Sequence, residues 1–200
     1  TEPVVMDFSV KSGGFYVGTY GNFGSLKIED PIEVLVGGDE NDIFTAGAWA
    51  SSLYGNDGTD FLTGGISDDY LDGGDHVDTI AAGGGDDEII GGPADDSLAG
   101  DGGDDTYRFV DGLLDGNDTI VDSSGNDTVD LTAYTPGIRM TVDVNNVVAR
   151  VSADVSVSDG SGAIENWLLG SGDDDINIWP SGGLPSNGYI DANGGVDLLD

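Results

Sequence analysis

GGDENDIFT, AGAWASSLY, GNDGTDFLT, GGISDDYLD, GGDHVDTIA, AGGGDDEII, GGPADDSLA and GDGGDDTYR follow one another without a break from Gly37 to Arg108, eight nonapeptides in one phase. The sixth place is Asp in seven of the eight (Asp42, Asp60, Asp69, Asp78, Asp87, Asp96 and Asp105), with Ser51 the exception. The eighth place is large and apolar or aromatic throughout: Phe44, Leu53, Leu62, Leu71, Ile80, Ile89, Leu98 and Tyr107. Self-similarity at a short fixed period marks a solenoid. The glycines that open most units permit positive φ and close backbone approach, so the first six residues of a unit suit a tight turn. The last three have room for one short strand with the eighth residue facing inward. Two units then close one flattened coil, and like positions recur every 18 residues. Stacked coils put Phe44, Leu62, Ile80 and Leu98 in one ladder and Leu53, Leu71, Ile89 and Tyr107 in the facing one.

Such a core is two side chains thick. It buries little apolar area per residue, and each coil must order many glycines at high entropic cost. The Asp column supplies the missing stabilisation. Two carboxylates 18 residues apart face each other across stacked turns, with about four peptide carbonyls near them, giving roughly six hard oxygen ligands, a set that suits Ca²⁺. Zn²⁺, Fe or Cu would want His or Cys, and the chain has one His and no Cys. Mg²⁺ fits poorly because it resists dehydration.

These nonapeptides resemble the RTX, or haemolysin-type, calcium-binding repeat, GGxGxDxUx with U large and apolar. The resemblance implies an all-β parallel β-roll, an RTX β-solenoid, here with flanking β-rich capping segments. It also implies that each ion takes the sixth-place carboxylates of two turns on the same side. The remaining ligands are second- and fourth-place carbonyls of the earlier turn and first- and third-place carbonyls of the later one. On one side this implies Gly38, Glu40 and Asp42 with Gly55, Asp57 and Asp60. Next come Asn56, Gly58 and Asp60 with Gly73, Asp75 and Asp78, then Gly74, His76 and Asp78 with Gly91, Pro93 and Asp96. On the other side it implies Gly65, Ser67 and Asp69 with Ala82, Gly84 and Asp87, then Gly83, Gly85 and Asp87 with Gly100, Gly102 and Asp105. That makes five calcium sites, and a sixth that would need Ser51 is lost. Pro93 keeps its carbonyl and so its place.

The flanks are similar to the calcium-binding C-terminal region of serralysin-type secreted metalloproteases. LLDGNDTIVDSSGNDTVDLTAY from Leu113 to Tyr134 repeats Asp at nine residues, Asp118 and Asp127, and leads into the strand-like Ile138–Val144. IENWLLGSGDDDI then restarts the repeat pattern from Ile164. The resemblance implies a further calcium shared by Glu165, Asp122, Asp127 and the carbonyls near Ser124 and Gly125, and it adds Asp118 and Asp174 as metal-ligand candidates. The restart has a counterpart at Ile32–Gly38, and Asp42 and Asp174 lie 132 residues apart, so a module of about that length recurs. The organisation expected is a β-rich lead-in cap over 1–36, a β-roll over 37–112, GNDT loops and a β-rich insert over 113–163, and the start of a second roll over 164–200. With no initiator Met and an end in mid-pattern, the chain reads as a segment of something larger.

The 39 acidic residues, 33 Asp and 6 Glu, face only 5 basic ones, and the net charge of −34 excludes nucleic acid and anionic membranes as direct partners. Residues 37–108 hold 18 of the acids and a single base, Arg108. Acids outside the sixth place, such as Asp68, Asp95 and Asp104, read as solvated turn faces. Trp49, Trp167, Trp179 and Tyr54 read as packing or capping residues rather than a sugar platform. No apolar run has the length of a membrane span, and no signal peptide is visible. HExxH, GxSxG and P-loop motifs are missing, and a single His precludes a two-histidine zinc site, so no enzyme is expected. The expected function is a calcium-binding module that stays unfolded while its carboxylates repel and folds when calcium binds. The family resemblance implies export through type I secretion to the cell surface or exterior. An adhesin or surface-layer protein is the parent favoured by the recurrence, and neighbouring modules or a surface ligand would be its partners. A calcium-dependent folding and secretion region of an exported hydrolase, a metalloprotease or lipase, is the alternative.

Overall fold

The computed structural model describes residues 26–27, 34–110, 116–133, 139–143, 146–150, 156–159, 164–172, 174–178 and 188–199. The lead-in before Leu26, Glu33, Trp179 and much of the 134–163 insert lie outside the described residues. The described residues are all-β, with no helix among them.

Among the described residues nineteen strands follow the nonapeptide rhythm and then depart from it. They are β1 (Leu26–Lys27), β2 (Val34–Val36), β3 (Ile43–Thr45), β4 (Ser52–Asp57), β5 (Phe61–Thr63), β6 (Tyr70–Asp75), β7 (Thr79–Gly84), β8 (Glu88–Ile90), β9 (Ser97–Gly102) and β10 (Thr106–Arg108). Beyond the eight units come β11 (Asn117–Ile120), β12 (Thr128–Asp130), β13 (Arg139–Asp143), β14 (Asn146–Arg150), β15 (Ser156–Asp159), β16 (Asn166–Leu168), β17 (Asp175–Ile178), β18 (Tyr189–Asp191) and β19 (Leu198–Leu199).

Successive units deliver strands alternately to two sheets, as a two-unit coil requires. One sheet runs β1-β3-β5-β7-β9-β11-β15-β14-β13-β17-β19, the other β18-β16-β12-β10-β8-β6-β4-β2. Neighbours inside the repeat region are parallel. Phe44, Leu62 and Ile80 are aligned partners, and so are Leu53, Leu71 and Ile89. Both ladders therefore form as the spacing predicts, and both extend further. Leu98 passes its place to Ile120, and Tyr107 passes its place to Val129 and then to Trp167. These side chains are almost wholly buried and form one thin continuous core. Trp167 is a core residue, whereas Trp49, in the irregular unit, is exposed.

After β12 the two sheets part company in sequence. The second sheet steps straight from β12 to β16, with Val129 opposite Trp167. The first sheet takes in the β-rich insert, as antiparallel pairs β15–β14 and β14–β13, before returning to parallel pairing with β17. The insert thus adds three strands to the interior of one sheet, between β11 and β17, and β16 to β19 carry both sheets onward.

Candidate metal centres

Turn geometry follows from which places hold glycine. Gly74, in a second place, has φ of 100°, and a Cβ there would fall 2.1 Å from the Asn56 carbonyl oxygen of the preceding coil. Gly55, in a first place, is crowded from two sides: a Cβ would lie 2.2 Å from both Asp60 Oδ2 and the Gly73 carbonyl oxygen. What stands where a side chain would be is therefore a carboxylate oxygen and a peptide oxygen converging from neighbouring coils. Gly73 repeats this with Asp78 Oδ2 and the Gly91 carbonyl, Gly64 with Asp69 Oδ2 and the Ala82 carbonyl, and Gly37 with Asp42 Oδ2 and the Gly55 carbonyl. Fourth-place carbonyls of Glu40, Ser67 and Gly85 press in the same way on Gly58, Gly85 and Gly103 of the next coil. His76 is an exposed fourth-place residue with φ of 81°.

The sixth-place carboxylates form two hydrogen-bonded ladders. In the first, the backbone N–H of Asp42 donates to Asp60 Oδ1 (2.7 Å), Asp60 to Asp78 (2.8 Å), Asp78 to Asp96 (2.8 Å) and Asp96 to Asp118 (2.9 Å). In the second, Ser51 donates to Asp69 (2.6 Å), Asp69 to Asp87 (2.7 Å), Asp87 to Asp105 (2.9 Å) and Asp105 to Asp127 (2.9 Å), and Asp127 donates to Glu165 Oε2 (2.9 Å). Asp174 begins a separate rung by donating to Asp197 Oδ1 (3.0 Å). Asp118, Asp127 and Glu165 thus lie in line with the repeat columns, although they are reached by steps of 22, 22 and 38 residues in place of 18.

One oxygen of each carboxylate is used in this way. The other, Oδ2, of Asp60, Asp78, Asp87, Asp96, Asp105 and Asp127 is buried and has no protein hydrogen-bond partner. A buried carboxylate oxygen without a partner is costly. Burial pushes these carboxyls above their ordinary range, and the carboxylate of a neighbouring coil adds to the effect at most of them. Asp87 rises to about 6, Asp78, Asp105 and Asp127 to about 7, and Asp96 to about 8. Asp118 also rises to about 7, by burial and the nearby Asp95 carboxylate. A divalent cation offsets both causes at once, and carboxylate and carbonyl oxygens with no nitrogen or sulfur among them fit a hard ion such as Ca²⁺. At Asp69 both oxygens are occupied, Oδ1 by the Ser51 N–H and Oδ2 by the Gly65 N–H (2.7 Å), and Asp42 Oδ2 likewise accepts the Gly38 N–H (2.9 Å).

In the flank, Asp105, Asp122 and Asp127 come together as three buried carboxylates whose ligand atoms lie within 4.8 Å of one another. The sequence links Asp122 and Asp127; the structure adds Asp105 to them, and Glu165 occupies the next rung. Ser124 and Gly125 line the same turn: Ser124 N–H bonds the Asp101 carbonyl (3.0 Å), and a Cβ on Gly125 would meet the Gly103 carbonyl.

The fifth place also carries a ladder, which the reading of Asp68, Asp95 and Asp104 as merely solvated faces misses. They are exposed, yet each accepts a backbone hydrogen bond from the next coil. Asp86 N–H donates to Asp68 Oδ1 (2.9 Å), Asp104 to Asp86 (2.9 Å), Asn126 to Asp104 (3.0 Å), Asn117 to Asp95 (2.8 Å) and Thr59 to Asn41 (3.0 Å). The direction is opposite to that of the sixth-place ladder, in which the earlier coil donates. The signal was in the sequence: Asn or Asp fills the fifth place at 41, 68, 86, 95, 104, 117 and 126.

Comparison with known families matches the RTX calcium-binding nonapeptide repeat in its four-copy form, over residues 32–48, 36–71, 54–89, 72–107 and 114–132. No curated protein matches the chain.

Proposed function

Because residues 32–132 belong to the RTX calcium-binding nonapeptide repeats, a β-roll element that is structural rather than catalytic, we propose that this chain is a calcium-folded module of a larger exported bacterial protein. The row of buried, unpartnered Oδ2 atoms on two ladders carries the reading. Without calcium the stacked carboxylates repel and stay unpaired in a low-dielectric turn, so the coils come apart. With calcium, ion-binding free energy becomes folding free energy.

The residues that would hold the ions are the sixth-place acids with the carbonyls around them. On the first side these are Gly38, Glu40, Asp42, Gly55, Asp57 and Asp60, then Asn56, Gly58, Gly73, Asp75 and Asp78, then Gly74, His76, Gly91, Pro93 and Asp96. On the second side they are Gly65, Ser67, Asp69, Ala82, Gly84 and Asp87, then Gly83, Gly85, Gly100, Gly102 and Asp105. Asp118, Asp122, Asp127, Glu165 and Asp174 are the flanking candidates. The proposed organisation keeps a lead-in cap to residue 36, a roll to 112, a loop-and-insert segment to 163 and a second roll start beyond it.

A chain that folds only where calcium is abundant is suited to export unfolded, by type I secretion, and to folding outside the cell. The recurrence of Ile32–Gly38 as Ile164–Gly170 supports a repetitive parent of adhesin or surface-layer type. Far-UV circular dichroism during a calcium titration tests the mechanism. Coil should give way to β-structure as calcium rises and return with EGTA; a chain equally folded in excess EGTA refutes it.

A further inference from the structure

Tyr107 is the one eighth-place residue of the eight units that carries a hydroxyl. Its ring fills the second core ladder between Ile89 and Val129, where Leu or Ile would serve equally well for packing. A phenol buried to 0 % exposure loses stability unless its oxygen finds partners. Here it finds two outside the core. It accepts the Gly100 N–H (2.6 Å) and donates to Asp122 Oδ2 through a short hydrogen bond. The same hydroxyl and Asp105 Oδ2 both crowd the position where Gly100 would carry a Cβ, at 2.8 and 2.2 Å. The tyrosine thus reaches from the hydrophobic ladder to the edge of the carboxylate cluster.

Asp122 belongs to no repeat column. It falls four places after Asp118 and five before Asp127, and it reaches the Asp105–Asp127 rung from the side. That rung already has two buried Oδ2 atoms, of Asp105 and Asp127, with no protein partner. The other Asp122 oxygen, Oδ1, accepts the Ser123 N–H at 2.5 Å, so both ends of this carboxylate are held.

We propose that Tyr107 is a positioning residue that fixes Asp122 as the third carboxylate of a calcium site with Asp105 and Asp127, and so ties the loading of that site to the packing of the core. The inference rests on the calcium reading above. A neutral hydroxyl that donates to a ligating carboxylate orients it without adding charge. It also holds the acid close to two others at a point where three like charges repel unless a cation is bound.

The test uses the whole chain and calcium alone. Calcium binding to wild type, Tyr107→Phe, Asp122→Asn and the double variant is measured by isothermal titration, with far-UV circular dichroism at saturating calcium as a check on folding. Wild type should bind calcium; if it does not, the calcium reading itself fails. Tyr107→Phe should keep the saturated β spectrum and the other ions, and weaken one ion by roughly 10- to 100-fold, the usual effect of losing a group that orients a metal ligand. Asp122→Asn should weaken the same ion, and adding Tyr107→Phe to it should cost little more. If Tyr107→Phe leaves every ion unchanged, or lowers thermal stability alone, or weakens binding as much in the Asp122→Asn background as in wild type, the positioning role is refuted. Should Tyr107→Phe not fold, Asp122→Asn with Tyr107 intact decides: unchanged calcium binding overturns the three-carboxylate site.

Discussion

Asp78 stands in the middle of the first ladder, and replacing it by Asn isolates what its charge contributes. Its Oδ1 accepts the Asp60 N–H, its own N–H donates to Asp96 Oδ1, and its Oδ2 is buried without a protein partner. Asn keeps the volume and one carbonyl acceptor, so both ladder bonds survive. What changes is the far oxygen, which becomes an NH₂ donor aimed where a cation belongs. Because Asp78 faces Asp60 on one side and Asp96 on the other, two neighbouring sites each lose one of their two carboxylates. An ion present at about 100 times its dissociation constant contributes about 2.7 kcal/mol to folding. Losing two such ions removes about 5 kcal/mol, comparable to the whole stability of a small domain. Asp197→Asn is the control, since Asp197 is exposed and serves one rung, accepting the Asp174 N–H. Isothermal titration should count two fewer tight ions in Asp78→Asn and at most one fewer in Asp197→Asn. The calcium midpoint of the β signal should rise much more for Asp78→Asn. Equal losses in the two variants, or a single ion lost from Asp78→Asn, would show that the carboxylates are not shared between coils.

The raised carboxyl pKa values set the pH dependence of the calcium-free chain. Asp87, Asp78, Asp105, Asp127 and Asp96 rise from 3.8 to between about 6 and about 8 in the folded roll. The folded state therefore holds more protons than the unfolded one in this window. Proton-linked stability is fully present below the unfolded value and is lost as pH rises through the folded values. In EGTA, β signal should appear as pH falls from about 8 towards 5, while calcium affinity drops; a calcium-free chain no more structured at the acidic end refutes the sign. Ala94 has φ of 97°, a conformation that costs a residue with a Cβ roughly 1–2 kcal/mol. Ala94→Gly should accordingly raise the melting temperature in saturating calcium by a few degrees, and a lower melting temperature counts against strain at this turn. Arg108 pairs with Glu88 and approaches Asp130 at 3.7 Å, with its side chain 41 % exposed. Arg108→Met should cost less than about 1 kcal/mol in a urea melt, and less still at high salt.

The nine-residue period makes the core legible from the sequence. A strict spacing leaves one way to stack Phe44 on Leu62 and Leu53 on Leu71, and the register is the one observed. It could not place Asp118 and Asp127, because four extra residues lie between Asp105 and Asp118. Those residues shift both ladders equally, turning 18 into 22 on each side, and backbone N–H groups of the preceding coil pick up the displaced carboxylates. Spacing says nothing of Glu165, which the family resemblance alone groups with Asp127 across the whole insert, and the closure of β12 on β16 brings the two into line. The insert's destination, inside one sheet between β11 and β17 and not in the other, depends on long-range pairing that no local spacing encodes. Tyr107 was legible as a core residue and not as a partner of Asp122, because the same side chain satisfies the apolar rule with its ring and breaks it with its hydroxyl.

The two turn-side ladders explain why so thin a stack can nevertheless behave as one unit. Sixth-place acids accept from the coil before them, and fifth-place acids and amides accept from the coil after them, so wherever Asn or Asp fills the fifth place the interface is clamped in both directions by carboxyl or carboxamide oxygens fixed to backbone N–H groups. Neither ladder alone stabilises a coil in isolation, since each bond needs a neighbour and each buried Oδ2 needs a cation shared with that neighbour. Stability in such an array resides in the interfaces, and it propagates outward from whichever interface forms first. A site with three carboxylates is the most repulsive interface when empty and the one most stabilised when filled. The Asp105–Asp122–Asp127 cluster meets this description, and Tyr107 connects it to the core ladder. Calcium would therefore act first where the sequence breaks its own rhythm, after Arg108, and the regular coils would load from there.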